Sequence, residues 1–171
     1  MSKKTLLASI ICGLLAILVQ PMSLAGASSS LAGSWQITLV PTTPPASPTI
    51  TIPGLATFTT DGSVIETDGA ELAPTAALTG AVIFGSPGHG IWQLLPSRTG
   101  FYVQYISVSV DSTGALSATS VTTMTVTPVA ATAFTQFTGQ YTIVQSDASG
   151  LVAKTTSGTI QGQLIPHPKL P

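Results

Sequence analysis

From Phe101 to Leu164 the chain runs through four extended segments, Phe101 to Val110, Ala115 to Thr127, Phe137 to Gln145 and Leu151 to Leu164. Two of the joints read Asp111-Ser112-Thr113-Gly114 and Asp147-Ala148-Ser149-Gly150, with Asp first and Gly fourth, as tight type I turns prefer. Long extended runs joined by such short turns fold back on one another, so neighbouring strands are predicted to pair antiparallel. Alternation then assigns faces. On one strand Leu116, Ala118, Ser120, Thr122, Met124 and Val126 share a side, and on the next Phe137, Gly139, Tyr141 and Ile143 do. Large and small residues mix on these inward candidates, which suits a tapering barrel interior.

The earlier part of the chain repeats the theme. Gly33-Ser34-Trp35-Gln36-Ile37-Thr38-Leu39-Val40 alternates with period two and reads as a half-buried strand. The Pro-rich piece from Pro41 to Pro53 is expected to leave regular pairing, because proline cannot donate to a ladder. Ala56 to Thr60 and Ser63 to Thr67 flank Asp61-Gly62 and predict a hairpin. Residues 68–79 read as a loop, and a short apolar run from Gly80 to Phe84 leads through Gly85-Ser86-Pro87-Gly88-His89-Gly90 into the strand Ile91 to Leu95. No segment after residue 27 combines helical periodicity with caps and helix formers. The expected fold is all-β: a single antiparallel up-and-down β-barrel of about eight strands with little helix, whose closure removes the exposed edges that uncharged strands would otherwise offer.

The first residues carry a different signal. Lys3-Lys4, an apolar run from Leu6 to Val19 and the small-residue stretch Ser23 to Ala27 form the n-region, h-region and cleavage site of a secretory leader. The run is shorter than the about 20 apolar residues a spanning helix needs, so no stable membrane anchor is expected after cleavage. Residues 1–27 are read as a cleavable signal peptide, 28–165 as the barrel domain and 166–171 as a short tail. The expected location is extracytoplasmic, secreted or periplasmic. Cys12 is the only cysteine and departs with the leader, so the remaining chain makes no disulfide and has no thiol for catalysis or metal binding.

Beyond residue 27 three basic residues face six acidic ones, which leaves a net charge of −3 and no basic patch for nucleic acid. Threonine takes the place of charge on the surface, with 25 copies after residue 27. Neither strong net charge nor low hydrophobicity is present, so the composition is not that of a disordered chain.

Leu31-Ala32-Gly33-Ser34-Trp35 resembles the opening of the calycin superfamily, the lipocalins, fatty-acid-binding proteins and avidins, in which Gly-x-Trp begins the barrel. The wider series of Gly33-x-Trp35, Phe58 to Gly62 with Glu66-Thr67, Pro87-Gly88-His89-Gly90-x-Trp92, Phe137-x-Gly139 and Gly158-Thr159-x-x-Gly162 is similar to small secreted bacterial lipocalin-like proteins of unassigned activity. The resemblance implies a barrel able to hold a small apolar molecule. Lipocalins pack a basic side chain from the last strand over the first-strand Trp. Here that region offers Gln161 and Gln163, with Lys154 its only cation.

Candidate chemistry is sparse. Glu66 and His89 are the residues able to form an acid/base pair if both face the interior, and Trp35, Trp92, Phe101, Tyr105 and Tyr141 are the candidate ligand-lining aromatics. Alternation allows either Glu66 or Ile65 to face inward, and aromatics also serve simply to fill a barrel. Arg98 sits in a turn, and His167 in the Pro-flanked tail. Nucleophile elbows, phosphate loops and metal-ligand spacings are missing, so no metal or cofactor is expected. Three readings follow: a barrel that binds a small hydrophobic ligand, a cavity-type isomerase or cyclase resembling allene oxide cyclases, and a packed structural or adhesion domain. An interior hollow of about 300 Å³ or more, the lower end for ligand pockets, separates the first two from the third. Oligomeric state is left open by the sequence.

Overall fold

A computed structural model describes residues 30–43, 50–69, 75–76 and 82–166. The expected leader, most of the expected tail and His167 lie outside the described residues. Ten strands follow in chain order: β1 (Gly33–Thr43), β2 (Ile52–Phe58), β3 (Ser63–Asp68), β4 (Thr75–Ala76), β5 (Val82–Gly85), β6 (Gly88–Leu94), β7 (Phe101–Asp111), β8 (Leu116–Pro128), β9 (Gln136–Asp147) and β10 (Val152–Leu164). Eight of them close a ring in the order β1-β2-β3-β6-β7-β8-β9-β10, every pair antiparallel, and β10 returns to pair with β1. The first strand meets the last, as an up-and-down barrel requires.

The remaining strands extend one wall. β5 and β6 both pair with β7, β5 against Ser109 to Asp111 and β6 against Phe101 to Ile106. Between them the register slips by one residue at Ser86-Pro87, a bulge placed where proline has no N–H to give. Ser86 repairs the ladder there. Its amide donates to the Val108 carbonyl at 2.8 Å and its hydroxyl accepts from the Val108 amide at 3.0 Å.

Three details depart from expectation, the first being that β4 (Thr75–Ala76) lies inside the stretch 68–79 read as a loop. The Pro-rich piece is partly strand: Pro41 pairs with Gly158, and Pro53 with Thr38. Each proline sits where its strand is paired on one side only, beyond the end of the β1–β2 ladder for Pro41 and of the β2–β3 ladder for Pro53, so a missing donor breaks nothing. The Asp61-Gly62 hairpin closes with a longer loop than a two-residue turn. Gly62 N donates to Thr59 O at 3.2 Å and Thr59 N to Ser63 O at 2.9 Å, with Gly62 at φ 91°. The Asp111 and Asp147 turns use the same bond pattern, with Gly114 and Gly150 at φ 83° and 86°. Those angles are in the left-handed region, which only glycine enters without cost.

The interior is graded along the barrel axis. Trp35, Ile37 and Leu39 on β1, Phe58 on β2, Phe101 and Val103 on β7, Met124 and Val126 on β8, Phe137 on β9 and Ile160 on β10 are all buried. One end is stopped by aromatic rings in contact: Trp35 against Phe137 at 4.9 Å and Phe134 at 5.7 Å, Phe134 stacked on Phe101 at 5.6 Å, and Phe101 against Trp92 at 5.6 Å. Phe134 reaches this plug because the chain after the 3-10 turn Ala130–Thr132 takes two left-handed residues, Ala133 at φ 46° and Phe134 at φ 60°. Each costs roughly 1–2 kcal/mol, offset by wedging a ring between Trp35 and Phe101. Apolar rings thus cover Trp35 where a lipocalin has a cation.

Candidate functional site

Beyond the plug, the inward positions of several strands change character together. On β7 they run Phe101, Val103, Tyr105, Ser107, Ser109; on β8, from the plug outward, Val126, Met124, Thr122, Ser120, Ala118; on β9, Phe137, Tyr141, Ile143, Gln145. Large apolar groups give way to hydroxyls and an amide, and the barrel stops filling itself. A cavity of about 180 Å³ opens there, walled by Glu66 and Asp68 of β3, Ile83 and Gly85 of β5, Tyr105, Ser107 and Ser109 of β7, Ser120 and Thr122 of β8, and Ile143 and Gln145 of β9. The bulge at Ser86-Pro87 matters to this site, because it keeps β5 on the β7 ladder and so supplies part of the wall. The apolar core beneath has a void of about 10 Å³. Two larger hollows, of about 300 and 440 Å³, are open furrows lined mainly by Thr and Gln of β8, β9, β10 and β1, and no ionisable group lines either.

Among the described residues Glu66 is the most deeply buried of the barrel's acidic and basic side chains. It is 1% exposed, and its register partners Ala56 and Gly88 are small, which leaves the carboxylate room to point across the barrel. Tyr105 faces it from β7. Burial first, and then the negative charge of Glu66, holds the Tyr105 phenol well above its ordinary pKa of 10.0. Thr122 acts the other way, and Asp68 adds a smaller upward push. Tyr105 is therefore a neutral hydroxyl facing the Glu66 side chain across the cavity. Tyr141, one inward position below Ile143 on β9, is also raised, by burial and then by the charge of Asp68. Its hydroxyl is buried and makes no hydrogen bond among the described residues.

The candidate residues thus separate into two places. Trp35, Trp92 and Phe101 belong to the plug, and the two indole N–H groups are satisfied by backbone, Trp35 Nε1 donating to Leu31 O and Trp92 Nε1 to Thr59 O, both at 2.9 Å. Tyr105 lines the cavity and Tyr141 lies beside it. Glu66 and His89 are not brought together. Register pairs Glu66 with Gly88, so the next residue, His89, points to the opposite side of the wall, exposed between Ile65 and Ile106. An acid/base pair of Glu66 with His89 has no geometry. Arg98 sits in the turn at the plug end, away from the cavity, with its own backbone at φ 57°. Among the described residues no group of three potential metal ligands comes together.

Sequence reasoning did not single out Asp68, Ser107, Ser109 and Gln145, and it placed Ser120 and Thr122 inward without giving them a role. A signal existed. Alternation already gave the inward residues of β8 and β9, and reading along those faces shows the shift from large apolar to small polar at one end. No family model, no curated protein and no solved structure matches the chain.

Proposed function

We propose that this chain is an exported, lipocalin-like barrel that binds a small ligand in the cavity at its Glu66 end. The observation that carries the reading is the graded interior: a small barrel ordinarily packs its whole lumen, whereas here one end is solid with aromatics and the other is hollow and lined by acceptors and hydroxyls. At about 180 Å³ the cavity falls below the mark of about 300 Å³ expected to separate a ligand barrel from a packed domain, so the reading rests on the lining of the hollow and not on its size. The hollow has the liquid volume of about six waters, so the ligand is compact. Ile83 and Ile143 offer it an apolar flank. Glu66, Asp68, Tyr105 and the Ser/Thr hydroxyls favour a ligand that also donates hydrogen bonds. The buried, unbonded Tyr141 hydroxyl fits a site completed by something polar, since an unsatisfied buried hydroxyl costs about 1–3 kcal/mol. The leader-like first residues support export before binding.

Butylamine, butanol and butyrate, matched in size and different in head group, test this by amide chemical-shift mapping at millimolar concentration. Butylamine is expected to move amides of Tyr105, Ser107, Thr122 and Ile143, butanol less, and butyrate least. Ser107→Phe fills the hollow and is expected to abolish the shifts while leaving the spectrum of the plug end unchanged. Failure of all three probes to move those amides, or equal binding by the filled variant, would sink the reading.

A further inference from the structure

The outer wall of the barrel has two unlike sides. On β8, β9, β10 and β1 most outward positions are Thr or Gln, including Thr125, Thr127, Thr138, Gln140, Thr159 and Gln161. On β2, β3, β5, β6 and β7 they include Leu55, Ile65, Phe84, Ile91, Ile106 and Val108, each between 39% and 57% exposed. Register shows that these are neighbours. Ile65 stands opposite His89, His89 opposite Ile106, and Ile106 opposite Val121, which itself faces Val144, in one row across five strands. Ile91 lies next to that row on β6, and Val108 next to it on β7.

We infer that a second copy of this chain docks on this face, the two copies related by a two-fold axis with the β3–β6–β7 wall of each against that of the other. Size is the first argument. Six large apolar side chains, each about half exposed, present on the order of 500 Å² together, near the top of the range for the largest patch on a monomer and well over half of the about 800 Å² that one partner of a stable pair buries. The Thr, Gln and Tyr side chains around them supply a polar rim.

Charge is the second argument. A two-fold contact sets each residue near the axis against its own copy, so a fixed charge there repels itself. The outward residues of β3 (Ser63, Ile65, Thr67) and β6 (His89, Ile91, Gln93) include no Asp, Glu, Lys or Arg, and neither do those of β7. A lipid bilayer is the poorer occupant. A barrel that spans one needs an apolar band around its whole circumference, and here the band ends where the Thr/Gln side begins. β3, β6 and β7 each pair with a strand on both sides, so the contact there is face to face.

Sedimentation velocity on the protein expressed as its full chain, and purified from whichever soluble fraction holds it, tests the inference. Twice the chain mass is expected at micromolar concentration. Ile106→Lys puts a charge and its symmetry mate into the contact and is expected to give a single chain with unchanged circular dichroism and melting temperature at low concentration. Gln140→Lys on the opposite side is expected to stay paired. A wild type that sediments as a single chain, one that pairs equally well with Ile106→Lys, or one that instead floats with phosphatidylcholine vesicles overturns it.

Discussion

Three inward-facing rings lie flat across glycines of adjoining strands, and those contacts explain why small residues sit on otherwise well-formed strands. A Cβ added at Gly162 meets the Phe137 ring, one at Gly88 meets the Tyr105 ring, and one at Gly158 meets the Val40 carbonyl first and then Tyr141 Cε1 at 2.8 Å. Gly162 and Gly158 stand directly opposite their rings in the β9–β10 register. The absent side chain is the space in which the ring rests, a device that offsets the poor strand propensity of glycine. Gly162→Ala is therefore expected to destabilise the fold by about 1–3 kcal/mol, the range for overpacking. Urea unfolding checks this, and pairing the change with Phe137→Leu should recover part of the loss because the two residues share one volume. A Gly162→Ala variant with an unchanged midpoint would show that the ring moves aside freely. The same residue-level logic separates Glu66 from His89: on a six-residue strand a single step of register puts one inside and the neighbour of its partner outside.

At the level of the element, the turns carry most of the local specification. Asp111 Oδ1 accepts from the Thr113 amide at 2.8 Å, the Thr113 hydroxyl at 2.6 Å and the Ala115 amide at 3.1 Å, and Asp147 Oδ1 does the same with Ser149 and Leu151. Asp61 accepts from the Thr59 hydroxyl and from the Ser63 amide. These bonds, the side-chain hydroxyl first in each case, hold all three carboxyls below the ordinary value of 3.8. A folded pKa lowered in this way stabilises the fold at pH above the unfolded value, and the contribution disappears as pH falls through the folded one. The melting temperature should consequently drop as the solution is acidified below about pH 3.8, the ordinary value cited for these groups. Replacing all three with Asn keeps an acceptor oxygen and removes the titration, so its acid limb should be shallower in melts followed by circular dichroism. An identical acid limb would mean that other carboxyls govern acid unfolding. These turns were readable in the sequence, because their bonds span no more than four residues. The bulge at Ser86-Pro87 was not, since it is defined by how β5 and β6 share the ladder of β7, where Ser86 meets Val108, 22 residues further along.

For the whole molecule, closure is the decisive event, and it joins β1 to β10 from opposite ends of the described chain. Removing residues 151–171 deletes β10 and leaves both β1 and β9 with open ladders. Such a chain is expected to lose its dispersed amide spectrum, and a peptide of residues 151–166 added in trans is expected to restore it; a shortened chain with a native spectrum would show that the ring is dispensable. Local patterning is enough for the class of fold, the sequential antiparallel pairing and the inward faces of β9 and of β8 from Ala118 to Val126, because alternation and turn chemistry are local and each long strand repeats its preference many times; Leu116, expected inward, is 47% exposed beyond the register slip at Ser109/Val110. The tertiary structure alone decided that Glu66 faces in and His89 out, that the aromatics divide between a plug and a cavity wall, and that the outer wall has an apolar side. Those outcomes depend on which residues of distant strands stand opposite one another, and a short strand with apolar residues on both faces contains no local preference between them.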